Sequence, residues 1–242
     1  MKSDHGKLVR YGPSRLYCPH LDRDDVIETD VLVLGSGAAG LFSAIRAART
    51  SRVVVVSKRE LNETNTRYAQ GGIAGVLSEV DSFNSHAKDT HNGGYGLNRP
   101  DIVEMVVGRG PETVKELVEL GARFDRQDSG AFDLAREGGH SERRVLRALG
   151  DQTGKEIERA LLATVNSHER VKCLENTYAI DLLVDNGVCL GALVMTSDRR
   201  FMVVSAKATI IATGGLCQIY RETTNPDTAT GDGVALAYRA GA

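Results

Sequence analysis

The chain is poor in the residues that mark special chemistry or special compartments. Its 242 residues hold four cysteines, Cys18, Cys173, Cys189 and Cys217, and no two stand in a Cys-x-x-Cys spacing. That scatter argues against a zinc site or a dithiol redox motif and fits a reducing cytoplasm. No apolar run approaches the roughly 20 residues that a membrane helix needs. The N-terminus lacks the apolar core of a signal peptide. Excess charge is missing too: a net charge of −2 gives no electrostatic reason to expect nucleic acid. What is present, 41% hydrophobic and 26% charged residues, is the composition of a soluble globular protein. The length allows one large domain, or one domain and part of another. Residues 1–29 are polar, contain Pro13 and Pro19, and show no periodicity, which reads as an N-terminal extension, draped on the surface or disordered. His5, Cys18 and His20 lie there at no standard metal-ligand spacing.

The rest of the chain is organised around Val31 to Lys58. Val31–Leu34 is a four-residue apolar run, and Val53–Val56 is another. Between them Leu41, Ala44, Ile45 and Ala48 recur at helical spacing. This is a βαβ unit, and Gly35-Ser36-Gly37-Ala38-Ala39-Gly40 falls at its strand-to-helix turn, where a dinucleotide fingerprint belongs. Gly35 permits the turn, Gly37 lets backbone N–H groups approach a pyrophosphate, and Gly40 lets helix and strand pack closely. The helix N-terminus adds N–H donors and the positive end of the helix dipole. An NAD-binding unit usually carries an acid after the second strand. Here Ser57 and Lys58 stand there, so either Glu60 serves or the ligand is held another way.

Asn62 to Val76 is polar first and then rich in glycine, as expected of a backbone that passes close to something flat or bulky. Asp81–His91 reads as a helix bearing His86 and His91. Pro100–Gly121 reads as two helices, broken at Gly108 and Gly110, with Pro111 opening the second and Gly121 capping it. Ile102, Val103, Val106 and Val107 form the apolar face of the first; Val114, Leu117, Val118 and Leu120 form that of the second. Phe132–Arg144 is a dense polar cluster around Gly138-Gly139, where Glu137, His140 and Ser141 can be held toward a ligand or can be plain loop residues. Thr153-Gly-Lys-Glu156 reads as a capping box for a helix over Ile157–Ser167. Val171–Leu174, Ala179–Val184, Val188–Met195 and Phe201–Ser205 read as strands of a small antiparallel meander, with Asp185-Asn186-Gly187 a turn between two of them. Lys207–Gly215 reads as a further buried strand that returns to the main sheet and ends, at Thr213 and Gly214, beside a cofactor. Thr230-Gly231-Asp232-Gly233 opens a last helix, where Asp232 can cap it or bind a hydroxyl, capping being the expected role.

Taken in order, Gly35–Gly40, Ser57-Lys58, Asn65–Gly72, Arg136–Ser141, Ala212–Gly215 and Thr230–Gly233 resemble the flavoprotein family of L-aspartate oxidase, succinate dehydrogenase and fumarate reductase. The segments Thr66–Ile73 and Arg136–Ser141 look most like its L-aspartate oxidase branch. The resemblance covers residues 30–242. It implies a Rossmann-like FAD-binding domain with a parallel sheet and a small antiparallel meander, cut off before a substrate-capping domain. It also implies FAD-dependent oxidation of L-aspartate to iminoaspartate in the full-length enzyme, with O2 or fumarate as oxidant and quinolinate synthase as a partner. The alternatives are a fumarate reductase or succinate dehydrogenase type of flavoprotein, and an inactive FAD-binding fragment. By resemblance, Ser36–Gly40 would hold the FAD pyrophosphate and Lys58 would lie at the adenosine end. Asn65, Thr66, Arg67, Tyr68, Ala69, Gln70, Gly71 and Gly72 would pass along the isoalloxazine. Ala179 and Ile180 would touch adenine, Asp232 would bind the flavin's polar chain, and Glu137 would orient the substrate. Succinate dehydrogenases link the flavin to a His where this chain has Asn65. An amide cannot serve as that nucleophile, so FAD would be bound noncovalently.

Overall fold

A computed structural model describes residues 25–242, so His5, Cys18 and His20 lie outside the described residues. In chain order the elements are β1 (Val26–Leu34), α1 (Ala38–Ala48), β2 (Val53–Val56), β3 (Ile73–Ala74), α2 (Phe83–Gly93), α3 (Pro100–Glu119), β4 (Leu134–Ala135), β5 (Val145–Leu146), α4 (Thr153–Ser167), β6 (Val171–Leu174), β7 (Thr177–Asp185), β8 (Val188–Thr196), β9 (Phe201–Ile211) and α5 (Asp232–Ala240). They form two compact units. One holds the described residues up to Asn65 together with Val165–Ala242; the other holds Thr66–Thr164.

The first unit is a six-stranded sheet in the order β6-β2-β1-β9-β8-β7. β6, β2, β1 and β9 are parallel neighbours, while β8 and β7 continue the sheet antiparallel. The order β6-β2-β1 is the 3-2-1 half of a doubly wound fold. β1 and β2 are buried on both faces, which explains their unbroken apolar runs. Alternation assigns the faces. Leu32, Leu34, Val54 and Val56 join Val204, Ala206 and Leu236 of α5 in one core, while α1 packs on β1 and β2 through its buried stripe Leu41, Ala44, Ile45 and Ala48.

Three expectations are corrected in this unit. β1 begins at Val26, inside the stretch read as an extension, because Val26–Thr29 pair with Val203–Ala206. Of the four strands read as an antiparallel meander, β7, β8 and β9 form one, but β6 pairs with β2 in the parallel sheet. The two short strands read at Phe201–Ser205 and Lys207 onward are one strand, β9, which bonds β8 along its first half and β1 along its length. The turn at Asp185–Gly187 is as read, with Asn186 at φ 49° and Gly187 at φ 78°, the pair of positive φ values that a two-residue hairpin turn requires.

The second unit holds a three-stranded sheet, β3-β5-β4, and α2, α3 and most of α4. α3 is one helix, not two, with Pro111 inside it. Val103, Val107, Val114 and Leu117 are buried along its length, a single helical stripe whose packing outweighs the local breaker signals. Ile102 and Val106 stay exposed. The expected stop at Gly121 does occur: at φ 93°, its N–H bonds the Val118 carbonyl and that of Ala122 bonds the Leu117 carbonyl, a Schellman cap. The capping box does not form. α4 starts at Thr153; the Thr153 hydroxyl accepts the Ala148 N–H and the Glu156 carboxylate accepts that of Arg123.

Candidate functional site

The first cluster lies where β1 and β9, neighbours in the sheet, both end in glycine-containing loops. From β1 the strand order runs outward and forward through β2 and β6, while from β9 it runs back through β8 and β7, so this is a topological switch point, the usual ligand crevice of such sheets. Gly35 sits at φ 108°, and a Cβ on it would lie 2.2 Å from the Ala212 carbonyl oxygen. A Cβ on Gly40 would lie 2.0 Å from the Gly35 carbonyl oxygen. Both glycines are therefore needed for the loop itself to close. Gly37 differs. It is the N-cap of α1, extended at φ −69°, and no side chain caps the helix there. A helix start without a side-chain cap suits an anion such as a pyrophosphate. Thr213 and Gly214 follow β9 on the other side; a Cβ on Gly214 would meet the Asn65 amide nitrogen at 3.7 Å.

Ser36 and Ser57 are buried and joined by a hydroxyl–hydroxyl bond of 3.0 Å. Ser57 thus turns inward to the glycine loop instead of presenting a ribose ligand. Beside it, Lys58 Nζ bonds Asp232 Oδ2 at 2.6 Å and Thr230 Oγ1 at 2.5 Å. Asp232 Oδ1 also accepts from Thr230 Oγ1 at 2.8 Å and from the Tyr178 hydroxyl at 3.3 Å. Asp232 is the first residue of α5 and does not cap it; Gly231 is the N-cap, without a side-chain bond. That corrects the expected capping role. Burial pushes the Asp232 carboxyl up, and the hydrogen bonds from Lys58 and Thr230 more than offset it, leaving it below the usual carboxylate range. The acid missing after β2 in sequence is thereby present there in space. Ala179 and Ile180 lie at a register shift of β7 against β8. The Ile180 carbonyl accepts Arg239 Nη2 at 2.7 Å, while Arg239 Nε bonds Asp181 at 2.5 Å.

In the second unit Glu137 precedes Gly138-Gly139, with Gly139 at φ 82°. Its carboxylate pairs with Arg147, just past β5, and not with Arg136 or Arg143, the neighbours that sequence proximity offers. Arg143 instead reaches the Leu134 carbonyl. Ser141 donates both its N–H and its hydroxyl to Asp89 Oδ2, each at 2.7 Å. Asp89 in turn pairs with the fully buried Arg144, which also holds Asp81. Burial alone would push the Asp89 carboxyl up; the bonds from Ser141 and Arg144 bring it down to about 2. Arg144 also lies against His140. Burial, then the Arg144 charge, hold His86 on α2 below the usual histidine range. In the segment Thr66–Gly72 the backbone is pinned at close range. A Cβ on Gly154 would meet the Thr66 and Ala69 carbonyls at 1.8 and 2.8 Å, and one on Gly72, at φ 131°, would meet that of Leu146 at 2.5 Å. Gln70 reaches Asp151 at 3.4 Å, and Tyr68 is half exposed.

Comparison with known proteins decides between dinucleotides. The FAD binding domain family matches residues 30–242. The chain belongs to that family. Its cofactor is FAD, which the glycine loop, the α1 N-terminus and the groups at the end of β2 suit. An L-aspartate oxidase of Streptomyces coelicolor is 44% identical over 222 residues, covering 89% of this chain and 38% of its own. The chloroplastic L-aspartate oxidase 2-b of Nicotiana tabacum is 44% identical over 216 residues, covering 87% and 33%. Among solved structures, Mycobacterium smegmatis Sdh1 in complex with UQ1 superposes with a TM-score of 0.85 at 34% identity, covering 89% of this chain and 39% of its own. The quinol fumarate reductase FrdA of E. coli gives 0.83 at 30%, covering 88% and 37%. The chain thus spans about a third of the length of these curated relatives. No helix among the described residues is long and apolar enough to cross a membrane.

Within this FAD binding domain the structure brings together Gly35–Gly40, Ser57, Lys58, Asn65, Thr213, Gly214 and Asp232 around the ends of β1, β2 and β9. Sequence reasoning missed Tyr178, Thr230 and Arg239, which tie α5 to β7 and β2. It also missed Arg144 and its acids, although Asp81, Ser85 and Asp89 recur every four residues, the spacing of one helix face.

Proposed function

We propose that the complete protein oxidises L-aspartate to iminoaspartate with FAD, using O2 or fumarate to reoxidise it, and that quinolinate synthase takes its product. The observation that carries this reading is the Glu137 carboxylate, placed before a Gly-Gly turn, paired with Arg147 and still 37% exposed. An amino-acid substrate brings an ammonium group, and a carboxylate opposite it makes a charge-assisted hydrogen bond. A substrate with carboxylates alone gains no such bond, which favours aspartate over succinate despite the likeness to fumarate reductase and Sdh1. The identities to L-aspartate oxidases support the same choice.

In this reading bound FAD supplies the acceptor for the hydride leaving the substrate Cα. The chain's own residues bind and orient. Glu137 holds the ammonium, and Arg147 keeps the carboxylate aimed. His140, held by Arg144, presents a polar group to a substrate carboxylate, while Ser141, whose N–H and hydroxyl both go to Asp89, fixes the loop beside it and is not itself a donor to the substrate. Asn65, being an amide, would form no covalent link to the flavin.

The test is Glu137→Gln in the full-length enzyme, measured with both substrates. Losing a charged hydrogen bond of roughly 1.5–3 kcal/mol lowers kcat/KM for L-aspartate by about ten- to a hundredfold. Fumarate reduction is unharmed or improved. Equal loss on both, or none on either, removes Glu137 from the substrate site.

A further inference from the structure

Arg144 has no exposed surface, and its five N–H donors all meet acceptors. Nε and one Nη2 hydrogen form a two-pronged pair with Asp81 at 2.8 and 2.7 Å. The other Nη2 hydrogen reaches Ser85 Oγ at 3.0 Å. Nη1 divides between Asp89 Oδ2 at 2.5 Å and His140 Nδ1 at 3.3 Å. A guanidinium has five donors and no lone pair with which to accept, so whatever faces it must accept. For the two carboxylates this changes nothing. For His140 it decides where the ring proton sits. Nδ1 must be bare, and the proton of the neutral ring lies on Nε2, at the opposite edge.

We propose that Arg144 is a positioning residue that fixes His140 as the Nε2–H tautomer, so that His140 meets the dicarboxylate substrate as a hydrogen-bond donor. The inference rests on the substrate site described under Proposed function. The same network holds the loop that carries the ring. Asp89, engaged by Arg144, also takes both donors of Ser141, the residue after His140. Ser85, which accepts from Arg144, is 3.0 Å from Ser141 Oγ. The His86 ring lies 5.7 Å from the His140 ring, tilted by 56°. The loop is therefore held on both sides of a ring whose inner nitrogen is committed to Arg144, and the nitrogen at the far edge is the one left to meet a ligand. A carboxylate is an acceptor only, and a wrong tautomer would set lone pair against lone pair.

Two measurements on the full-length, FAD-loaded protein test this. In protein labelled with 15N-histidine, His140 should show a bare, pyridine-type Nδ1 and a protonated, pyrrole-type Nε2. A protonated Nδ1 overturns the proposal. Succinate, which has two carboxylates and no ammonium, is then titrated by its perturbation of the flavin spectrum. His140→Gln carries an amide N–H to the reach of Nε2 and should bind close to the unaltered protein. His140→Asn can place an amide only near Nδ1 and should bind roughly ten- to a hundredfold more weakly. Equal weakening in both, or in neither, overturns the donor role. If Glu137→Gln still separates aspartate from fumarate in that case, only the present inference falls. If it does not, the substrate reading falls with it.

Discussion

Lys58 and Asp232, 174 residues apart in the chain, stand 2.6 Å apart, nitrogen to oxygen, and join the end of β2 to the first turn of α5. Both side chains are mostly buried, and Thr230 and Tyr178 complete the acceptor's partners. The pair puts a carboxylate where the second strand ends, the position that in other dinucleotide folds an acid reaches from the strand itself.

Lys58→Met should therefore destabilise the protein by about 1–3 kcal/mol, because it leaves a poorly solvated carboxylate without its cation. Lys58→Met with Asp232→Asn should cost less than the sum of the two single changes. Urea unfolding of the four proteins measures this; additive losses would mean that the two groups do not interact.

The glycines of the fingerprint should separate into two kinds. Gly40→Ala forces a Cβ against the Gly35 carbonyl, so it should impair folding before FAD is considered. Gly37→Val should leave a folded chain that no longer takes up FAD, since Gly37 is the N-cap of α1, where the fingerprint would hold the pyrophosphate. Circular dichroism together with quenching of FAD fluorescence reads both. A folded Gly37→Val protein with unchanged FAD affinity would refute the assignment.

FAD should be held without a covalent bond, because Asn65 offers no nucleophile. Acid precipitation of the loaded protein should leave all yellow colour in the supernatant. Flavin retained in the pellet after washing would be decisive against this.

The Arg144 network should leave a mark on acid stability. Asp89 titrates at about 2 in the fold, against 3.8 ordinarily. A lowered carboxylate value stabilises the folded state above the unfolded value, and that contribution disappears as pH falls from about 4 toward 2. Asp89→Asn should thus be less stable than the unaltered protein at neutral pH, with the gap narrowing through this window. Denaturant midpoints from pH 7 to the acid limit check it. A gap independent of pH would show that Asp89 contributes by shape and not by charge.

The sequence by itself determined the β1–α1–β2 unit and its glycine loop. Each of those features is local: a run of four apolar residues fills a strand buried on both faces, a stripe at helical spacing fills one side of α1, and the need for positive φ or close backbone approach admits glycine alone at Gly35 and Gly40. The hairpin turn at Asn186-Gly187 and the cap at Gly121 were legible for the same reason. Tertiary structure decided what lies far apart in the chain. Pro111 and two glycines announce a break, yet α3 runs through them because Val103, Val107, Val114 and Leu117 gain more by being buried along one stripe than the helix loses at one missing N–H. β9 reads as two strands until β1 and β8 are set on either side of it. Arg144 meets Asp81 across 63 residues, and Lys58 meets Asp232 across nearly three times that distance. A charged side chain carries no sign in the sequence of which opposite charge it will find. Only the packing of the strands and helices that bear them removes water from between the two and makes one pairing the most stable.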